Sequence, residues 1–122
     1  MSKNIAIIGS SISNLKSICS AIQSVNLSPK IIHNSEELHN FDKLILPGVG
    51  TFKEGMKFLR KNKLEKGIIK FIEEDKKVMA ICLGMQLLLE KGYEFGEHNG
   101  LGVIKGSVRK LKSNNVHLGW NW

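Results

Sequence analysis

The sequence predicts an α/β fold: a doubly wound, mostly parallel sheet with helices on both faces. Three observations carry this. Short isoleucine- and valine-rich runs recur along the chain. Between them, apolar residues fall at helical spacing. Glycine-rich turns follow two of the runs, where strands would hand over to helices.

Taken in order, "NIAII" (Asn4–Ile8) reads as a buried first strand, ended by Gly9, Ser10 and Ser11. Leu15, Ile18, Ile22 and Val25 then mark a helix that Ser13 or Asn14 could cap. "KIIH" (Lys30–His33), preceded by Pro29, is a second strand. "KLIL" is a third, stopped by Pro47. Thr51 and Glu54 have the spacing of a capping box, and Phe52, Met56 and Leu59 share one face of the helix that follows. Leu64, Ile68, Phe71 and Ile72 line another helix. "KKVMAIC" is a fourth strand, and "GMQLLLEKG" a helix with Gly92 as its stop. Beyond Gly92, "EFGEHNGLG" is a polar, glycine-rich loop, and "VIKGSVRKL" and "NVHLGWNW" read as short strands. Strands alternating with helices imply parallel pairing with right-handed crossovers. Residues 1–122 are expected to form a single domain.

A chain of 122 residues can build a core without staples. Two cysteines, Cys19 and Cys82, make no disulfide framework, and no secretory signal is visible, which points to a reducing cytoplasm. No stretch approaches the ~20 apolar residues of a membrane span. The formal net charge is +7, but most of the excess is lysine scattered among glutamates. Only Arg60 and Arg109 are arginines, and few aromatics stand beside the lysines to stack on bases. A nucleic-acid partner is therefore not expected. The charge reads as a solvated face, or as steering of an anionic partner or substrate.

In a doubly wound sheet the working surface lies at the carboxyl ends of the strands. Two turns fall there. Cys82 sits between the fourth strand and a helix, followed at once by Leu83 and Gly84. A sharp strand-to-helix turn would place its sulfur beside a helix N-terminus, whose dipole favours the thiolate. The same turn would present the Leu83 N–H, as in a nucleophile elbow, with Gly84 relieving the crowding. Ala80 replaces the glycine usual two positions before the nucleophile. Taken alone, Cys82 is more readily a small buried apolar residue than a nucleophile, and Cys19, on the first helix, reads as packing or helix surface. The second turn is "PGVG". Gly48 and Gly50 let its backbone approach a ligand, and the Val49 N–H could complete a two-donor oxyanion hole. A dinucleotide loop is disfavoured because Lys53 stands where a third glycine belongs, and no Gly-Lys-Ser/Thr follows.

Together, "LPGVGTF", "ICLGMQLLLE", "GLGVIKG" and "HLGWN" resemble the class I glutamine amidotransferases, within them the glutaminase subunits of imidazole glycerol phosphate synthase from histidine biosynthesis. The resemblance runs from the first strand to the last residue. It implies that Cys82 attacks the side-chain amide of glutamine and that the amides of Val49 and Leu83 hold the oxyanion. Gln86, with Gly48 and Gly50 through their backbone, would contact the substrate. Ammonia would pass to a cyclase subunit, a (β/α)8 barrel, and Asn14, Trp120 and Asn121 would lie toward that partner in a heterodimer. No metal and no cofactor are implied. The plain alternatives are a helix cap for Asn14, a core residue for Trp120 and an exposed helix position for Gln86.

Two features depart from the family pattern. Members carry Asp-Tyr-Gly before the Gly-Asn-Leu turn, whereas "GSSISNL" keeps only Asn14 and Leu15. The family's base is a histidine oriented by a glutamate two residues later, near the C-terminus. His33, His39, His98 and His117 are followed two positions on by Ser35, Phe41, Gly100 and Gly119, so none offers His-x-Glu. The resemblance thus implies a chain interrupted before its base. Two readings stand side by side: a glutaminase subunit or its N-terminal part, and a truncated, non-catalytic module that binds a partner. Another cysteine-elbow hydrolase on the same fold is a third, against which "GMQ" and "GWN" argue.

Overall fold

In a computed structural model, residues 2–10, 14–112 and 119–120 are described. Four strands, β1 (Asn4–Ile8), β2 (Ser28–Ile32), β3 (Lys43–Leu46) and β4 (Lys77–Ala80), form one parallel sheet in the order β2-β1-β3-β4. Helices α1 (Leu15–Ser24), α2 (Phe52–Lys61) and α3 (Leu64–Glu73) cross between them. The doubly wound architecture expected from the alternation is the one observed.

Strand alternation sorts the core into two layers. Ile5, Ile7 and Ile45 point to one face and pack with Ile22 of α1, flanked by Leu15, Ile18, Cys19 and Ile81. Ala6, Ile8, Leu44 and Leu46 point to the other, against Phe52, Met56 and Leu59 of α2 and Leu64, Ile68 and Phe71 of α3. The central strand β1 is buried along four of its five residues, which explains its unbroken apolar run.

The caps follow the sequence closely. The Asn14 side chain accepts from the Ser17 N–H at 3.4 Å and so starts α1. Thr51 Oγ1 accepts from the Glu54 N–H at 3.2 Å and starts α2. The second strand begins two residues earlier than the sequence suggested and includes Pro29. Here β2 is an edge strand. The Ser28 N–H donates to the Lys3 carbonyl and the Ile32 carbonyl accepts from Gly9, so even-numbered residues face β1. The missing N–H of Pro29 therefore falls on the open side, where it costs no hydrogen bond.

One expectation needs correcting. The helix after Cys82 was read as running toward a stop at Gly92. It is only Leu83–Leu87 (α4), and Leu89–Gly92 form a strand, β5. β5 pairs antiparallel with β6 (His98–Asn99) and parallel with β7 (Ile104–Val108) in a second, three-stranded sheet. The reason lies in the carbonyls at the helix end. The Leu87 carbonyl accepts from the Leu101 N–H, and the Leu88 carbonyl from those of Val103 and Ile104. The returning chain takes the acceptors that a longer helix would use. Gly92 is small because Phe52, itself buried, fills the space beside it. An added Cβ would lie 2.4 Å from the ring. The proposed strand in "NVHLGWNW" falls almost entirely outside the described residues.

Gly92→Ala is expected to destabilise the fold by about 1–3 kcal/mol, the usual range for an extra methyl in a filled core. Chemical denaturation should show it as a lower midpoint at unchanged slope.

Candidate active site

β3 and β4 end side by side, and the next few residues of each form the candidate site. After β4 the chain turns at Cys82, whose φ of 55° and ψ of −122° lie where side chains other than glycine rarely go. The Gly84 N–H donates to the Ile81 carbonyl at 3.0 Å. Positive φ at the first central residue, closed by that hydrogen bond, is a type II′ turn with a cysteine at its corner. The turn throws the Cys82 side chain outward, and Cys82 is exposed. It is not the small buried cysteine; Cys19 is the half-buried one, on α1 against Ile5, Ile7 and Ile45 of the sheet.

Two hydrogen bonds stitch this elbow to the end of β3. The Ile81 N–H donates to the Leu46 carbonyl at 3.0 Å, and the Leu83 N–H to the Gly48 carbonyl at 3.3 Å. The fit is tight enough to require glycine at position 84, where a Cβ would stand 1.9 Å from the Leu46 oxygen. Gly48 is similarly pressed, with its missing Cβ 3.0 Å from the Gly84 nitrogen. Gly50 is open on all sides but has φ of +103°, so its need for glycine is conformational.

The two amides expected to hold an oxyanion do not converge in this conformation. Leu83 already donates to Gly48. A trans peptide points its N–H opposite to its carbonyl, so the Val49 N–H faces away from that donor. The Val49 side chain is about half exposed. α4, at five residues, also offers less dipole behind Cys82 than a full helix would.

Gln86 lies one turn into α4 and lines a cavity of about 470 Å³ with Tyr93, Glu94, Phe95, Arg109 and Lys110. Sequence reasoning missed Glu94 and Arg109. They stand far apart in the chain and line the same cavity because β5 and β7 are parallel neighbours, with Gly92 opposite Val108. The residues just beyond, Tyr93 and Arg109, stack with the guanidinium 4.4 Å from the ring centre. Arg109 Nε donates to Ser107 Oγ at 2.9 Å, which fixes its orientation. The Lys91–Glu97 ion pair, at 2.6 Å, closes the hairpin of β5 and β6. The Lys91 hydrogen bond, and then its charge, hold the Glu97 carboxyl below the usual glutamate range. Glu97 in turn raises Lys91.

The remaining sequence candidates are scattered. Asn14 is an exposed helix cap, and Trp120 is 97% exposed, so it is no core residue. Asn121 and His117 lie outside the described residues. His33 follows β2, three strands from β4, or about 14 Å at the usual strand spacing. The His98 ring bonds the Phe95 carbonyl at 3.0 Å and lines a hollow against α2 with Lys53, Met56 and Lys57. His39 lies in the 3-10 turn Glu36–Asn40, in a hollow against Lys66 and Lys70 of α3. Among the described residues no cluster of His, Cys, Asp and Glu could hold a metal ion, and no helix is long and apolar enough to cross a membrane.

Residues 7–116 match the CobB/CobQ-like glutamine amidotransferase domain. The chain belongs to the glutamine amidotransferase family. Within this family it is close to the HisH subunits of imidazole glycerol phosphate synthase. Subunit HisH 1 of Legionella pneumophila (strain Lens) is 38% identical over 126 residues, covering 97% of this chain and 59% of that protein. Subunit HisH 1 of Campylobacter jejuni subsp. jejuni (serotype O:23/36, strain 81-176) is 43% identical, covering 96% and 61%. A crystal structure of a glutamine amidotransferase superimposes with a TM-score of 0.72 at 21% identity, over 84% of this chain and 54% of that one. The amidotransferase fold is thus shared, and the chain spans about three fifths of the length of the curated relatives it matches.

The strain at the elbow predicts an inversion of the usual order of substitutions. Glycine is at home at φ 55°, so Cys82→Gly should be more stable than Cys82→Ala by about 1 kcal/mol. Paired denaturation curves measure this, and equal midpoints would remove the strain. The hairpin makes a second prediction. A lowered carboxyl stabilises the fold above the ordinary glutamate range and loses that contribution as pH falls through the folded value. In an NMR titration Glu97 should have a midpoint below the ordinary glutamate value of about 4.3. Lys91→Met should raise it back.

Proposed function

We propose that this chain is the nucleophile-bearing part of a glutaminase, the HisH-type subunit that supplies ammonia to imidazole glycerol phosphate synthase in the cytoplasm. The observation that carries it is Cys82, held outward on a left-handed elbow with the Gly48–Gly50 loop laid against it. The Sγ thiolate attacks the side-chain amide carbon of glutamine. The tetrahedral oxyanion collapses as ammonia leaves with a proton, and water then hydrolyses the thioester to glutamate.

The oxyanion needs two donors, and the conformation described keeps them apart. Rotating the Gly48–Val49 peptide would free the Leu83 N–H and turn the Val49 N–H toward the same point. The bond lost is long, at 3.3 Å, and such neutral bonds contribute about 0.5–1.5 kcal/mol net. Hydrogen bonds to an anion are roughly twice as strong, so a developing oxyanion outcompetes the Gly48 carbonyl. Gly48 has the backbone freedom for that rotation. Substrate glutamine carries an α-amino and an α-carboxylate group. Glu94, and Arg109 and Lys110, which line the Gln86 cavity together, carry charges that match that pair. The ammonia formed would pass to a (β/α)8 cyclase partner, with Asn14, Trp120 and Asn121 on the partner's side.

One observation favours the second reading, a non-catalytic module that binds a partner. The described histidines His33, His39 and His98 all belong to other parts of the fold, so none is placed to take the Cys82 proton. The test is alkylation by a diazo-ketone analogue of glutamine, read by mass spectrometry, together with ammonia release by a protein completed to the relatives' length. Labelling at Cys82, and loss of turnover by at least about 10³-fold in Cys82→Ala, are expected of the glutaminase. Undiminished turnover in that variant would overturn the mechanism, and absence of both labelling and turnover would leave the binding module.

A further inference from the structure

Folding gathers the excess positive charge that the sequence spreads along the chain. Three hollows adjoin one another along α2, α3 and the turn Glu36–Asn40. Lys53, Lys57, Arg60 and Lys61 line the first, of about 560 Å³, with His98. Arg60 recurs in the second, of about 400 Å³, with Lys63 and Lys66. Lys66 recurs in the third, of about 220 Å³, with Lys70, Lys76 and His39. The shared side chains join the hollows into one basic track. Its order is helical: Lys53, Lys57 and Lys61 follow one another at every fourth residue, and so do Lys66 and Lys70.

Eight of the chain's 18 lysines and arginines line this track, against two of its 11 acids, Glu65 and Glu74. The track thus holds a surplus of six positive charges out of a net charge of +7, and the rest of the molecule is close to neutral. Both acids are already engaged. Glu65 accepts from Arg60 Nε at 3.1 Å, and Glu74 pairs with Lys76 at 2.9 Å and with Lys70 at 3.9 Å. Lys53, Lys57, Lys61, Lys63 and Lys66 are exposed and make no ion pair among the described residues. Glu54, Glu73 and Asp75 belong to the same stretch of chain, yet none of them lines the three hollows. Like charges at every fourth residue of a helix repel one another, and an anion laid along them removes that cost.

We propose that this track is a docking surface for an acidic segment of another polypeptide. The segment presents carboxylates about 6–7 Å apart, as every fourth residue of a helix or alternate residues of an extended strand do. The lysine row on α2 has the same spacing. A second copy of this chain does not suit the track, because the surface outside it has no surplus of acid to offer. A nucleic acid fits less well too. Arg60, the one guanidinium in the track, is held by Glu65 and by the Asn99 carbonyl at 3.0 Å, so no planar fork is left for a phosphate. The one phenyl ring in the lining, Phe71, lies beneath the Lys76 ammonium and is 2% exposed, so it offers no face to a base. Lysine ammoniums attract carboxylates at a distance and without a fixed geometry, which suits a mobile acidic segment. The track shares no residue with the Gln86 cavity, and the proposal stands apart from the glutaminase reading.

The test titrates the full 122-residue chain into a fluorescently labelled peptide of about twenty residues that alternates glutamate and alanine, read by anisotropy. Binding is expected, and it should weaken by about tenfold as salt rises from about 50 to 200 mM, because exposed charges are screened. The double variant Lys57→Glu, Lys66→Glu should weaken it by at least about tenfold. The double variant Lys16→Glu, Lys105→Glu makes the same change of net charge away from the track, and it should leave the affinity within about twofold. All four side chains are exposed, and reversal at Lys57 and Lys66 relieves repulsion, so both proteins should keep the fold, which circular dichroism checks. Failure of the peptide to bind would overturn the proposal. Equal weakening by the two double variants would also overturn it, since net charge alone would then account for binding. So would tighter binding of an oligothymidylate with as many phosphates as the peptide has carboxylates, which would make the track a nucleic-acid surface.

Discussion

Everything at the candidate site depends on one backbone conformation, the positive φ of Cys82. An L-residue enters that region at a cost of order 1–3 kcal/mol, so the surroundings must hold it there. They do so through the Leu46 carbonyl. It accepts from the Ile81 N–H on one side and presses against Gly84 on the other, leaving no room for a Cβ. The end of β3 thus forces the turn at the end of β4, and the turn delivers the sulfur to solvent. The packing that positions Leu46, among Phe52, Met56 and Leu83, is the central core itself. Local strain at Cys82 is offset by burial several residues away, and the same burial fixes where the thiol stands.

The Gly48–Val49 peptide is the adjustable part of this arrangement. Its carbonyl rests on the amide that an oxyanion would use, so the resting state has no organised pair of donors. Both effects involved are small. One long neutral hydrogen bond holds the closed form, and one peptide rotation separates it from the open form. A balance of this size is shifted by any group that makes a stronger hydrogen bond to either amide. Glycine at 48 and at 50 keeps that rotation accessible, in contrast to the elbow, where glycine at 84 serves only to make space.

Much of this was legible in the sequence because it is local. The isoleucine runs, the Thr51 cap, Pro47 as a strand stop and the Cys82–Leu83–Gly84 elbow each depend on a few neighbouring residues. Asn14 was readable as a cap for the same reason. What escaped depends on long-range pairing. "GMQLLLEKG" has helical spacing to its end, yet the chain from Leu101 to Ile104 takes the carbonyls of Leu87 and Leu88 and converts the second half to strand. Once β5 replaced that helix, Glu94 and Arg109 came to line one cavity, and no spacing rule relates residues brought together across two strands. The closed state of the Leu83 amide was invisible for a further reason: sequence identifies which peptides can rotate, not which rotamer is populated.

The two outer strands of the four-stranded sheet are built differently. An exposed apolar strand edge is a hazard that proteins manage by proline, charge or cover, and β2 carries Pro29 with its missing N–H on the open side. Val78 and Ala80 have no such device, and Met79 stands uncovered next to them.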